Sequence, residues 1–161
     1  MFGIGEKVLY GVNGVCSVEG VTVRRIGKTD IEYYVLKPLS LGSSTLFVPT
    51  SNAALCSKMR GLLSAEQIRS VLSDAGGGGE WIENKSLRGD SFKGVISRGD
   101  FSELIAMIRL IRAHEAAAVA SGKRLHASDE RLLREAEKMV SEEISIGLGV
   151  DRSEALGMVF Q

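Results

Sequence analysis

Two histidines, two cysteines and a run of four glycines are the first residues to weigh for chemistry in this chain of 161 residues. His114 and His126 fall on or beside helical patterns, with no Cys or Ser nucleophile in a recognisable arrangement, so no acid–base or acyl-transfer constellation forms. Cys16 and Cys56 stand in no CxxC pair and no Cys/His cluster of metal-ligand spacing. Reduced thiols in a cytosolic protein are expected, without a disulfide framework or a metal. Gly76 to Gly79 lacks the Gly-Lys-Ser/Thr ending of a phosphate loop, and Gly122-Lys123-Arg124 lacks the preceding glycine at that spacing. The chain reads as a non-enzyme that needs no cofactor.

Binding chemistry is what remains. Lys+Arg and Asp+Glu number 20 each, so no global field draws the chain to nucleic acid or anionic lipid, and any DNA contact must be local. Residues 76–161 carry 12 basic against 14 acidic side chains, a net of −2. Free DNA is therefore expected to bind weakly and without sequence discrimination. The local positive groups that could touch phosphates are Lys85, Arg88 and Lys93, with Lys123 and Arg124 in a loop. Trp81, the only tryptophan, follows the glycine run and could act as an apolar wedge at a melted minor groove; the bland alternative is a ring packed into a helical core. Arg24-Arg25 end an alternating strand just before a turn and should be exposed, which by itself is equally a solvated hairpin end. Phe47 precedes Val48-Pro49 in a strand, where an aromatic is more often core than interface.

These residues are positioned by two halves of different period. The first alternates in the manner of short strands at Lys7–Tyr10, Val15–Glu19, Val21–Val23, Glu32–Leu36 and Thr45–Val48. Turn signals separate them at 11–14, 26–30 and 40–44, so consecutive strands should pair antiparallel and close into a small barrel. Near residue 62 the period becomes helical. Ser64-Ala65-Glu66-Gln67 is a capping box ahead of Ile68, Val71 and Leu72, and Gly76–Gly79 reads as a hinge. Trp81–Ile96 supplies a helical segment. Asp100-x-x-Glu103 caps a helix running to about Ala120, Ser128-Asp129-Glu130 starts another through Ile144, and Asp151-x-x-Glu154 opens a brief last one. The expected fold class is α+β: a small SH3/Tudor-like antiparallel β-barrel at 1–62, a short helix and glycine-rich hinge at 63–79, and a compact α-helical bundle at 80–161. No apolar run approaches the roughly 20 residues that span a bilayer, and the first residues show no basic segment before an apolar stretch. A cytoplasmic location follows.

The stretch Phe2-x-x-Gly5-Glu6-Lys7-Val8-Leu9-Tyr10-Gly11-Val12-Asn13-Gly14-Val15 resembles the Phe-x-x-Gly-Asp-x-Val-Val-Tyr-Pro-x-His-Gly-Val signature of the CarD/CdnL family of transcription regulators. Glu6, Gly11 and Asn13 are its departures. Tyr33-Tyr34-Val35-Leu36-Lys37 and Val48-Pro49 fall where that family has its central strand and a Val-Pro strand end. Arg98-Gly99-Asp100 leading into Leu104-Ile105-x-x-Ile108-Arg109, then Gly122-Lys123-x-Leu125-x-x-x-Asp129 and Ala136-Glu137-Lys138, are similar to its helical domain. The resemblance spans nearly the whole chain and rests on the order and spacing of motifs that are weak singly.

The resemblance implies a Tudor-like domain that binds the RNA polymerase β subunit, shared with transcription-repair coupling factor, and a helical domain set against promoter DNA upstream of the transcription bubble. The implied activity is a change in open-complex formation or stability. It makes Arg24, Arg25 and Phe47 the candidate polymerase contacts, on a strand and its neighbour. It makes Trp81, Lys85, Arg88, Lys93, Lys123 and Arg124 the candidate DNA contacts, although Trp81 stands about one helical turn farther from Gly99-Asp100 than in better-known members. The competing expectation is an adaptor that docks on polymerase and whose helical domain recruits a protein instead of touching DNA. A monomer is expected, since both apolar faces can be satisfied within two small cores.

Overall fold

A computed structural model describes residues 2–40, 44–74 and 79–160. The chain divides into two compact units, Met1–Leu62 and Leu63–Gln161.

The first unit is an antiparallel sheet. Strand β1 (Lys7–Tyr10) pairs with β2 (Val15–Ile26), β2 with β3 (Thr29–Pro38), and β3 with β4 (Leu46–Pro49). A one-turn helix α1 (Ala53–Cys56) then leads to β5 (Met59–Gly61), which returns to β1, giving the order β4-β3-β2-β1-β5. This is the expected Tudor-like β unit, with a difference: among the described residues no ladder joins β4 to β5, so two edges stay open. Neither α1 nor β5 announces itself in sequence, because three or four residues hold no period to read.

The sequence also suggests a break at Gly20 that the chain does not make. The register shifts between Val18 and Gly20, which is a β-bulge, and Gly20 at φ +153° lets β2 continue for 12 residues. The β2–β3 hairpin closes over Gly27-Lys28, with Ile26 opposite Thr29 and Gly27 at φ +64°, the left-handed position that a two-residue loop of this kind reserves for glycine. Alternate residues Val8, Cys16, Val18, Tyr34, Leu36, Val48 and Met59 form the core of the unit. The distal half of the hairpin runs past that core, and Val21, Val23 and Ile26 are exposed.

The second unit holds α2 (Ala65–Ser73), α3 (Lys85–Arg98), α4 (Phe101–Ala120), α5 (Ala127–Leu148) and α6 (Arg152–Val159). Three of its helix caps are ones the sequence advertises, whereas α5 begins at Ala127, ahead of the expected Ser128-Asp129-Glu130 start, behind His126 with no side-chain cap. Ser64 and Gln67 make a full capping box, and Asp100 and Asp151 accept from the backbone N–H groups of Glu103 and Glu154. Helix α3 starts at Lys85, not near Trp81, because Asn84 caps it by accepting from Leu87 N–H. Helices α4 and α5 pack together as the expected hairpin, burying Leu104, Ile108 and Ile111 from one and Leu132, Ala136, Met139, Val140 and Ile144 from the other.

Helix α2, which falls in the expected connector 63–79, is different in kind. Helix α2 packs on α4 and α5 inside the second unit, and Ile68 is fully buried. Gly147 makes room for it, since a Cβ there would stand 2.4 Å from Ile68 Cδ1. The division of the chain falls after Leu62, before this helix. Of the glycine run read as a hinge, Gly76–Gly78 lie outside the described residues. No helix is long and apolar enough to cross a membrane among the described residues.

Candidate functional site

Cross-strand partners share a face of a sheet, so the register sorts the hairpin into two sides. Tyr34, Leu36 and Val48 point into the core. Their neighbours therefore point outward: Arg24 opposite Ile31, Thr22 opposite Tyr33, Tyr33 opposite Pro49 and Val35 opposite Phe47. On this outer face the Arg24 guanidinium lies 4.3 Å from the Phe47 ring centroid, reaching across β3 to β4. Tyr33 meets the same ring edge-on, centroids 6.2 Å apart at 84°. Phe47 stays 39% exposed although aromatic, because it belongs to the face away from the core.

The aromatic contact fixes where Arg24 points without using its N–H donors, which enter no hydrogen bond or ion pair among the described residues. A positioned guanidinium with free donors over an apolar floor suits an acidic or carbonyl-rich partner surface. Arg25 is separated from it. One residue on, it takes the opposite face of the hairpin, opposite Asp30 and beside Val23. Sequence adjacency joins the two arginines; the pleat places them on different surfaces. The outer edge of β4 adds unpaired backbone groups among the described residues, blunted at one end by Pro49, and such an edge can accept a partner strand.

Residues 2–62 match the family model of the CarD-like/TRCF RID domain. The N-terminal unit is similar to a CarD-like/TRCF RID domain. The match ends at Leu62, the residue after which the chain divides. Domains of this family are RNA polymerase β-interacting modules. No curated protein matches the chain. Within the matched unit, Arg24 and Phe47 come together on one exposed face and Arg25 does not.

Beyond the matched unit, the candidate DNA contacts fare unequally. Arg88 is 2% exposed, and its guanidinium makes a two-point pair with Asp129, Nε to Oδ1 at 3.0 Å and Nη2 to Oδ2 at 2.8 Å. Its Nη1 donates to the carbonyls of Ile82 and Glu83. Those donors are consumed in joining α3 to α5 and to the segment before α3, which corrects its assignment as a phosphate contact.

Trp81 is half-buried and lies flat on His114, centroids 3.7 Å apart at 3°, with the Arg88 guanidinium 4.7 Å from its ring centroid and Phe92 nearby at 6.0 Å. Its ring is held by α3 and α4, so insertion between bases would require breaking the stack on His114 and the contact with Arg88. The bland reading of a lone tryptophan describes its place here.

Lys85, Lys93, Lys123 and Arg124 are exposed. Lys85 and Lys93 share one side of α3, two turns apart, while Lys123 and Arg124 sit in the α4–α5 loop. The carboxylates that cancel their charge in composition are largely engaged elsewhere. Glu137 holds Arg112 by both oxygens, Glu142 pairs with Arg152, and Glu143 accepts from Leu63 N–H. Among the described residues no group of three His, Cys, Asp or Glu is placed to hold a metal.

Proposed function

We propose that this chain is a non-enzymatic transcription regulator that docks on the RNA polymerase β subunit through the outer face of β2–β4 and adjusts promoter open complexes through its helical unit. The observation that carries the docking half is the convergence of Arg24, Phe47 and Tyr33 on one exposed face of a unit similar to a CarD-like/TRCF RID domain. Working on polymerase places it in the cytoplasm, on the nucleoid. DNA contact in this proposal belongs to exposed cations of the helical unit and not to Trp81 or Arg88, whose side chains are committed to packing. With a neutral chain the polymerase supplies the effective concentration, and the phosphate contacts need only be weak.

The test is calorimetric titration of the full chain, and of Arg24→Glu and Arg25→Glu variants, onto the β-subunit lobe. Arg24→Glu should abolish measurable binding, and Phe47→Ala should weaken it about tenfold or more. Arg25→Glu should weaken it far less. Loss of binding on Arg25→Glu with retention on Arg24→Glu would place the docking surface on the other face.

The adaptor reading, in which the helical unit binds a protein, has one observation in its favour. A cleft of about 330 Å³ lined by Ile82, Phe92, Val95, Met107 and Leu110 is open and mainly apolar. A promoter complex whose lifetime is unchanged by the chain, with polymerase binding intact, would favour it.

A further inference from the structure

The helical unit holds 13 basic residues, and their partners separate them. Arg88, Arg98, Arg112, Arg134 and Arg152 pair with carboxylates, and Arg109 donates to the carbonyls of Leu72, Asp74 and Val159 at the ends of α2 and α6. The other seven enter no ion pair among the described residues, and three of these, Lys85, Lys93 and Arg131, line one open cleft of about 410 Å³ between α3 and α5. Ser86, Gly89, Ser128 and Leu132 complete its lining, together with a single carboxylate, Asp90. Three cations against one anion leave the cleft positive in a unit that is otherwise negative.

Gly89 lines the cleft between the two lysines. Lys85, Gly89 and Lys93 stand four residues apart along one line of α3, and a Cβ built on Gly89 would meet nothing within 4 Å. A ligand can therefore approach the helix backbone between two lysines. Lys85 and Ser86 are the first residues of α3 and Ser128 the second of α5, so the positive ends of both helix dipoles add to the field of the side chains. Next in sequence to Gly89 and Ser128, Arg88 and Asp129 form a buried pair that ties α3 to α5.

We propose that this cleft is where the helical unit holds backbone phosphates of duplex DNA, with Arg131 on α5 a phosphate ligand alongside Lys85 and Lys93 on α3. The proposal rests on the reading that the helical unit contacts DNA, and it names the site. Arg131 supplies the planar fork that grips a phosphodiester at two oxygens, while the lysines act as point charges on either side of Gly89. Neither Lys123 nor Arg124 lines the cleft.

The experiment is anisotropy titration of a short fluorescein-labelled duplex with the full chain over a series of low salt concentrations. Arg131→Ala should weaken binding several-fold and make the salt dependence shallower by about 0.9 in the log–log slope, the signature of one lost phosphate contact. Gly89→Glu puts a carboxylate between the two lysines. It should weaken binding about tenfold with the thermal midpoint unchanged or raised, since glycine inside a helix is itself unfavourable and the Cβ has room. The double variant Lys123→Ala/Arg124→Ala should keep affinity closer to wild type than either.

Wild-type affinity and slope in both Arg131→Ala and Gly89→Glu would remove the cleft as the site while leaving the DNA reading intact. A wild-type chain that fails to bind duplex at the lowest salt would overturn that underlying reading, and the cleft assignment with it. Sodium tripolyphosphate serves as the other source of phosphate. If it binds the cleft and duplex DNA does not compete, the DNA assignment is refuted.

Discussion

Arg88 and Arg131 are both arginines of the helical unit, yet one is spent on the fold and the other faces a cleft. Removing Arg88 leaves Asp129 buried and uncompensated. Arg88→Ala should destabilise the unit by about 3–5 kcal/mol in urea titration, whereas replacing both partners by apolar residues of similar volume should recover most of that loss. A phosphate contact would show the opposite, with stability intact and DNA affinity reduced. Glu103 offers a pH probe on the same scale. Hydrogen bonds from Arg98 hold its carboxyl below the usual carboxylate range despite partial burial. Its folded form therefore gains stability that is fully present above the ordinary carboxylate pKa and is lost as pH falls through the lowered value. Stability of Arg98→Ala, followed by urea melts from neutral pH down through that range, should fall less steeply with acid than wild type.

At the scale of elements, the starts of α2, α4 and α6 were legible because capping is local. Ser64, Asp100 and Asp151 each satisfy an N–H three residues away, and the same spacing is visible in sequence. Ser64→Ala should cost about 1 kcal/mol, read as a lowered thermal midpoint of the helical unit. Strand β5 and the continuation of β2 past Gly20 were not legible, since pairing with a distant strand makes them. Met59–Gly61 becomes a strand only opposite Val8–Tyr10, and the bulge at Gly20 is defined by the register against Val35. The hairpin faces share this origin. Alternation implies that Arg24 and Arg25 diverge, but the register alone tells which of them faces away from Tyr34 and Leu36.

For the molecule as a whole, the decisive boundary lies at Leu62 and not at the glycine run. A fragment of residues 63–161 should unfold cooperatively on its own. One of residues 80–161, without α2, loses the burial of Ile68 and Leu72 and two carbonyl partners of Arg109, and should be less stable by about 3–5 kcal/mol in chemical denaturation. Equal stability of the two fragments would show that α2 is a passenger. The amino-acid sequence by itself determined the change from a two-residue to a helical period near residue 62, most helix starts, the β-then-α order and the RID-like signature, because each is written in neighbours a few residues apart. Tertiary structure decided which cations remain available. Arg88 and Asp129 are 41 positions apart and Arg24 meets Phe47 across an intervening strand, so only the fold determines that one guanidinium is consumed and the other is aimed outward.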